Sequence, residues 1–304
     1  MRALASPASL KGVLSAREAA AQLAEGLRSG GTDVDELPIA DGGEGTGEVL
    51  GARVREQLVV PDAFGRPHKA PIRELPDGSA LVEAAEAIPL DPERLDPLAA
   101  TSRGLGELIA AVEAPRLLVC LGGTASVDGG AGLLDVVPKL PAPTTVLCDA
   151  LVPLRDAARR FAPQKGATRS QVELLEGRLA SMRELAPYSE LPGAGAAGGL
   201  GAALASLGAE LVPGAQEVLQ RLDFRTHARQ SDLVVTGEGR VDATSTTGKA
   251  PGEALRVCRE EGVRCVVFGG RVEVDLEGAE TVALSGDPGR AAEDLVALGK
   301  RLST

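Results

Sequence analysis

The chain has 304 residues, of which 44% are apolar, and a formal net charge of −11. This length is long for one compact domain and natural for two, and the apolar share provides a hydrophobic core. The acidic charge argues against sequence-independent nucleic-acid binding, and the absence of any long apolar run argues against a membrane partner. Cysteines beside apolar segments, without a CxxC pair, predict free thiols in a cytoplasmic protein.

The N-terminal segment predicts the start of an α/β domain. Residues 2–6 form a predicted strand, and Ser15 with Glu18 makes a capping box that opens a helix. A second strand, predicted at residues 36–39, leads into an acidic glycine-rich loop at residues 41–46. Strand, helix, strand and loop in this order indicate a doubly wound domain, which binds ligands at the carboxyl ends of its strands.

The middle of the chain has a different rhythm. Strands predicted at residues 53–60, 68–75 and 78–84 form a meander, which is unlike a βαβ unit and indicates that a second domain has begun. The elements predicted after it are a helix at 101–112, strands at 116–121 and 145–148, a helix at 168–185 with a Thr168–Gln171 capping box, and a helix entered through the Gly/Ala run at 192–201.

The α/β rhythm returns near the C-terminus. The elements predicted there are strands at 233–236, 265–268 and 281–284 and helices at 249–261 and 290–302. The simplest topology is a doubly wound, Rossmann-like α/β domain built from residues 1–52 and 214–304. Residues 53–213 then form an inserted second α/β domain that contains a mixed sheet.

Two acidic glycine-rich loops are the strongest candidates for a functional site. They contain Asp41, Gly42, Gly43 and Glu44 in the first loop, and Gly237, Glu238, Gly239, Arg240 and Asp242 in the second. Glycine lets a backbone approach a ligand closely, and carboxylates coordinate Mg²⁺ or accept a proton from a hydroxyl. The alternative is two surface turns with solvated acids.

The second loop continues into a segment that holds the groups phosphoryl transfer uses. They are glycine N–H groups, the carboxylates of Glu238 and Asp242, the hydroxyls of Thr244, Ser245, Thr246 and Thr247, and Lys249 at a helix start. The segment is not a Walker A loop, because Ala250 replaces the required Ser or Thr. A polar loop before a capped helix is the alternative. Other cations in glycine-containing loops are Lys11, Lys165 and Arg240.

A GxGxxG string at residues 193–198 would indicate a dinucleotide enzyme. Pro192 and polar residues precede it, where a strand is required. Helix entry with close packing of small residues is therefore favoured over an NAD-dependent oxidoreductase.

Six segments in order resemble type I glycerate kinase, the bacterial kinase that phosphorylates glycerate. They are residues 9–16, 40–46, 121–132, 161–167, 192–201 and 232–251. The resemblance spans nearly the whole chain and implies two α/β domains with a cleft between them. It also implies ATP and Mg²⁺ as co-substrates and D-glycerate as the small-molecule hydroxy-acid acceptor, with 2-phosphoglycerate as product. A homodimer is left open.

We assign site residues on this basis, with roles that could be exchanged among them. The catalytic candidates are Asp41, Glu44, Lys11 and Asp242; the cofactor-binding candidates are Gly42, Gly43, Gly237, Glu238, Gly239 and Lys249; the metal candidates are Glu238 and Asp242; Asp149, Gln164 and Lys165 form a second tier. Asp41 and Glu44 are expected on the acceptor-hydroxyl and metal side, and Glu238 and Asp242 at Mg²⁺ or the phosphates. Lys11 and Lys249 are expected on phosphate or the glycerate carboxylate.

Three positions depart from the pattern of the family this chain resembles. Ala8 stands where an Asp is usual, and Val127 and Val152 stand where Asn is usual. These departures motivate an alternative function, a catalytically weakened homologue that binds a sugar acid or nucleotide without turnover.

Overall fold

Two units make up the chain, and the structure, a computed structural model, describes residues 1–243, 245 and 248–303. The first unit consists of Met1–Asp41, Glu48–Leu50 and Ala215–Thr304. The second consists of Gly42–Gly47 and Gly51–Gly214. The predicted domain limits at residues 52 and 213 stay a prediction about independent folding.

The strands of the described residues are β1 (Arg2–Ala5), β2 (Asp33–Glu36), β3 (Arg53–Pro61), β4 (Pro67–Glu74), β5 (Ala80–Glu83), β6 (Leu117–Leu121), β7 (Thr144–Cys148), β8 (Glu210–Pro213), β9 (Leu233–Val241), β10 (Arg264–Val272) and β11 (Glu280–Ala283). The α-helices are α1 (Ala16–Ser29), α2 (Thr46–Val49), α3 (Ala84–Ala87), α4 (Arg103–Ala110), α5 (Ala131–Leu134), α6 (Ala157–Phe161), α7 (Arg169–Ser181), α8 (Ala196–Ser206), α9 (Gly214–Arg221), α10 (Phe224–Arg229), α11 (Ala250–Glu261) and α12 (Ala291–Leu302). No helix among the described residues is long and apolar enough to span a bilayer.

The first unit is built on a parallel sheet in the order β11-β10-β9-β1-β2. Alternate residues of its strands face opposite sides, so Ala3 and Ala5 pack with α1 and α12, while Leu4 packs with α9, α10 and α11. Both faces are therefore covered, as parallel sheets require.

The strand order of this sheet reverses at its centre. From β1 the chain moves through α1 to β2 on one side, whereas β9, β10 and β11 follow in turn on the other side. The carboxyl ends of β1 and β9 are thus a topological switch point, the place where open α/β sheets bind ligands.

The second unit is built on a mixed sheet in the order β3-β4-β5-β6-β7-β8. The strands β3, β4 and β5 pair antiparallel, and β5 to β8 are parallel. The predicted fold class is confirmed. One unit is doubly wound and made from both chain ends, and the other is an inserted α/β unit with a mixed sheet.

Local signals predicted helix starts well. The capping boxes Ser15–Glu18 and Thr168–Gln171 are both formed. Several bounds were wrong: β2 ends at Glu36 rather than at residue 39, α7 ends at Ser181 rather than near residue 185, and β10 ends at Val272 rather than at residue 268. Beyond β2, the N–H groups of Leu37 and Ile39 still donate to the carbonyl oxygens of Ala5 and Pro7, but Pro7 has no N–H to donate in return, so the regular ladder ends.

The prediction that residues 236–242 form a loop was also wrong. They continue β9 as far as Val241, and the ladder with β10 pairs Glu238 with Gly269 and Arg240 with Arg271. Pairing with β10 supplies backbone hydrogen bonds that outweigh the low strand propensity of glycine. The carboxylate of Glu238 therefore stands on a strand.

Candidate functional site

The switch point of the first unit brings two predicted segments together. An ideal Cβ on Gly239 would lie 3.8 Å from Cα of Leu10 and 3.9 Å from the backbone nitrogen of Lys11. The end of β9 therefore runs beside the loop that joins β1 to α1. Lys11 is exposed there.

A group that we call the lysine cluster (Glu238, Asp242, Ser245 and Lys249) lies where β9 leads into α11. Nζ of Lys249 is 3.5 Å from Oε1 of Glu238 and 3.9 Å from Oδ1 of Asp242. The Ser245 hydroxyl donates to Oε1 of Glu238 over 2.8 Å. Sequence reasoning placed all four in one segment, and the structure brings their side chains into contact. The predicted hydroxyls of Thr244, Thr246 and Thr247 lie outside the described residues.

Glu238 is a perturbed acid of this cluster. Burial raises the pKa of its carboxyl group, and the charge of Lys249 and the hydrogen bond from Ser245 oppose that increase without cancelling it. The negative charge of Asp41 raises the pKa further, so Asp41 acts on the same cluster. The carboxylate of Glu238 is incompletely compensated, and an additional cation would stabilise it.

The lysine cluster fits one kind of metal ion. Among the described residues, no group of three or more His, Cys, Asp or Glu side chains could hold a metal alone. Mg²⁺ takes one or two carboxylates and completes its octahedron with water and substrate phosphates. Glu238 and Asp242, both within 4.0 Å of one amine, offer such a pair.

Two glycines predicted to bind cofactor differ in their surroundings. A Cβ on Gly237 would lie 2.2 Å from the carbonyl oxygen of Phe268, so Gly237 is needed for packing against β10. Gly239 is exposed, with open space before the β1–α1 loop. Of these two glycines, Gly239 is the one that a ligand can reach.

The remaining loop candidates belong to the second unit. Glu44 is exposed, and its Oε2 lies 3.8 Å from where a Cβ on Gly123 would stand, just beyond β6. Gly43 and Asp149 both lie within about 3 Å of the Cβ position of Gly122. The loop with Gly42, Gly43 and Glu44 is thus seated at the carboxyl ends of β6 and β7.

Lys165, a second-tier candidate, is buried in the same region. Its Nζ donates to the carbonyl oxygen of Ser126 over 2.7 Å and contacts Oγ1 of Thr124 at 3.4 Å. Burial lowers the pKa of Lys165 to about 8, against the charges of Asp149 and Asp128. Lys165 anchors the segment that follows β6.

Two of the departures from the family pattern have a packing explanation. Val127 is buried in the core beneath α6, α7 and α8, where the neighbours are apolar and offer an amide side chain no hydrogen-bond partner. Val152 contacts the position of a Cβ on Gly195 at 3.1 Å. Ala8 is half-buried, and its backbone N–H donates to Gly237.

The GxGxxG string lies in a turn and the start of α8. Residues 192–195 form that turn, so the strand required by a dinucleotide fingerprint does not precede it. A Cβ on Gly198 would lie 2.4 Å from the carbonyl oxygen of Ser126, and one on Gly201 would lie 2.0 Å from that of Gly193. Close packing of small residues at a helix entry, the favoured interpretation, accounts for the string.

Sequence reasoning missed Glu83, a buried acid at the carboxyl end of β5. It hydrogen-bonds the backbone of the loop that carries Glu44. The available signal was an acid that ends an apolar strand, since Glu is almost never buried without partners.

Comparisons with known proteins show to which family this chain belongs. A model of the Glycerate kinase family matches residues 3–138 and 137–286. This chain belongs to the glycerate kinase family. The suspected resemblance and the predicted enzyme class, a glycerate kinase, are thereby confirmed.

Similar proteins extend over nearly the full length. A glycerate kinase of Bacillus subtilis (strain 168) is 33% identical, covering 90% of this chain and 86% of the relative. A glycerate 2-kinase of Escherichia coli (strain K12) is 35% identical, covering 83% of this chain and 80% of the relative. A crystal structure from Salmonella typhimurium LT2, provisionally named glycerate kinase 2, superimposes with a TM-score of 0.79 at 28% identity, covering 100% of this chain and 97% of the other.

Proposed function

We propose that this chain transfers the γ-phosphoryl group of ATP, with Mg²⁺, to the 2-hydroxyl of D-glycerate and releases 2-phosphoglycerate. Family membership supports phosphorylation of glycerate, and the name of the Escherichia coli relative supports the 2-position. The observation that carries the proposal is the lysine cluster, two carboxylates and one amine at the switch point of a doubly wound sheet.

The cluster supplies what phosphoryl transfer needs from a protein. This reaction depends on positioning and charge neutralisation more than on covalent chemistry. Glu238 and Asp242 would hold Mg²⁺, which when bound neutralises developing charge on the phosphates. Lys249, just before the first turn of α11, would bind a phosphate oxygen, aided by the helix N-terminus.

The acceptor side is assigned to the first acidic loop. Asp41 and Glu44 would orient the glycerate hydroxyl and accept its proton, and Lys11 would bind a phosphate or the substrate carboxylate. Gly42, Gly43 and Gly239 would allow the backbone to approach the ligands. Oriented groups of this kind raise rates mainly by fixing the reacting atoms in line.

The test is phosphoryl transfer from MgATP to D-glycerate by the purified chain. Enolase converts 2-phosphoglycerate to an ultraviolet-absorbing enol phosphate, so coupling to enolase alone scores the 2-product. We expect turnover in the wild type and a loss of roughly 100-fold or more in kcat for Glu238→Gln and Asp242→Asn.

A control variant is available in the same unit. Glu280→Gln removes a carboxylate that pairs with Arg264 at the opposite end of the sheet, and it should leave kcat unchanged. ATP consumption without an enolase signal would contradict phosphorylation at the 2-hydroxyl. Absence of turnover in a folded protein that glycerate or MgATP stabilises would favour the weakened homologue.

A further inference from the structure

Glu83 is a carboxylate that is 3% exposed, at the carboxyl end of β5. A buried acid is retained only when hydrogen bonds or charges replace its lost hydration. Burial does raise the pKa of its carboxyl group, and the N–H groups of Gly47 and Gly45 oppose that increase. Its position therefore has a cost in free energy that its contacts must offset.

Both oxygens of Glu83 bind the same loop. The backbone N–H of Gly45 donates to Oε2 over 2.8 Å, and that of Gly47 donates to Oε1 over 2.7 Å. Hydrogen bonds to an ionised acceptor are about twice as strong as neutral ones. We call this arrangement the loop clamp (Gly45, Gly47 and Glu83).

At Gly47 there is no space for a side chain. A Cβ on Gly47 would lie 3.0 Å from Oε1 of Glu83 and 2.9 Å from Cδ of Arg73. The backbone at residue 47 is thus seated directly on the carboxylate. Arg73 is itself bonded to Glu86.

Glu44 lies immediately beside the clamp. It is exposed at the carboxyl end of β6, with Oε2 beside Gly123, while the next residue donates to Glu83. The conformation of Gly45 limits the directions in which Glu44 can extend. By fixing the backbone at Gly45 and Gly47, Glu83 therefore also limits the movement of Glu44.

We propose that Glu83 is a positioning residue for phosphoryl transfer, which holds the loop of residues 42–47 so that Glu44 stays directed at the acceptor. The inference rests on the proposed function, because Glu44 has an acceptor-side role only there. Glu83 itself touches no substrate in this scheme and acts through the backbone of Gly45 and Gly47.

The first experiment compares Glu83→Gln with the wild type by amide hydrogen exchange. Gln keeps one acceptor but directs an N–H₂ group at a backbone donor, so one hydrogen bond is lost. We expect exchange to accelerate about 10- to 100-fold at whichever of Gly45 and Gly47 loses its acceptor, the range for a bond to a charged group. Glu86→Gln, a neighbouring acid that bonds Arg73 and not the loop, should leave that exchange unchanged.

The second experiment measures steady-state kinetics on the same variants. Glu83→Gln should lower kcat/KM for D-glycerate about 10- to 100-fold while the KM for MgATP changes less than about twofold. Glu83→Asp, which keeps the charge, should restore part of the rate. Once Glu44 is replaced by Gln, adding Glu83→Gln should cause little further loss, because the two act as a unit.

Unchanged exchange at Gly45 and Gly47, or fully additive losses with Glu44→Gln, would overturn the inference. A wild type without glycerate turnover would instead refute the proposed function. The exchange measurement does not depend on turnover, so the two failures are distinguishable.

Discussion

The buried Glu83 and the half-buried Glu238, one in each unit, are stabilised in different ways. Glu238 of the first unit contacts the side chains of Lys249 and Ser245, at distances of 3.5 and 2.8 Å. Glu83 of the second unit contacts backbone N–H groups, at 2.8 and 2.7 Å. Burial raises the pKa of both carboxyl groups.

Because of this difference in partners, Glu238 can exchange its partner during a reaction and Glu83 cannot. Lys249 is 27% exposed at its side chain and can turn to an incoming phosphate, leaving Glu238 for a cation. The N–H groups bound to Glu83 belong to the chain itself and cannot leave without moving the loop. We therefore expect changes around Glu238 to affect activity directly. Changes in the second unit should affect order and stability, and those at Glu83 should affect activity only through the order of the loop it binds.

The largest effect is expected for Lys249→Met. It removes the cation of the lysine cluster and should lower kcat/KM for MgATP roughly 100- to 1000-fold, comparable to loss of one preorganised charge-stabilising group. Stability should change by less than about 1 kcal/mol, because the ion pair is partly exposed. Steady-state kinetics and urea denaturation measure the two effects. Lys300→Met in α12 is the control. An equal loss of kcat/KM in that variant would show that Lys249 has no special role.

A charge in the second unit should act on stability. The pKa of Lys165 is lowered from 10.5 to about 8, so the charged form is disfavoured in the folded state. The stability of the wild type relative to Lys165→Met should rise as pH increases from about 8 to 10.5, by roughly 3 kcal/mol. Below pH 8 the difference should be constant. Denaturant unfolding at several pH values checks this, and a difference independent of pH would contradict it.

Val127, which stands where the family usually has Asn, should act as a packing residue of the second unit. Val127→Asn places an amide in a buried apolar site and should destabilise the protein by about 2–4 kcal/mol, without increasing glycerate turnover. Thermal and urea unfolding provide the measurement. Val59→Asn, at a position 66% exposed on β3, should cost less than about 0.5 kcal/mol. A gain in turnover for Val127→Asn would instead support the weakened homologue.

The smallest effect is expected for Ser245→Ala in the lysine cluster. It removes one hydrogen bond to Glu238 and leaves Lys249 in place, so kcat/KM should fall about tenfold or less. Ser245→Thr keeps the hydroxyl and should retain more activity. A loss as large as that of Lys249→Met would show that the hydroxyl contributes as much as the amine.

Local chemistry explains what could be predicted from the sequence. A capping box such as Ser15–Glu18 joins residues three apart, so its pattern is visible in the chain. Likewise, Glu238, Ser245 and Lys249 lie in one segment, and their grouping followed from spacing. Their assigned roles in catalysis stay predictions.

Long-range contacts explain what could not be predicted. The loop clamp joins residues 36 and 38 positions apart, and nothing local to Glu83 indicates which backbone it binds. The extension of β9 to Val241 depends on its pairing with β10, including Arg240 with Arg271. Tertiary partners decide such features, and a single sequence does not contain them in readable form.

The central strand pair of the first unit has a consequence for biosynthesis. β1 lies between β2 and β9, and Arg2 bonds Asp232, 230 residues later in the chain. At ribosomal rates of about 5–20 residues per second, the N-terminal strand waits roughly 10–50 s for this neighbour. During that interval β1 has an open edge and apolar side chains without their cover. We expect the nascent chain to need a chaperone most in this window, and a circular permutant that begins near residue 215 to shorten it.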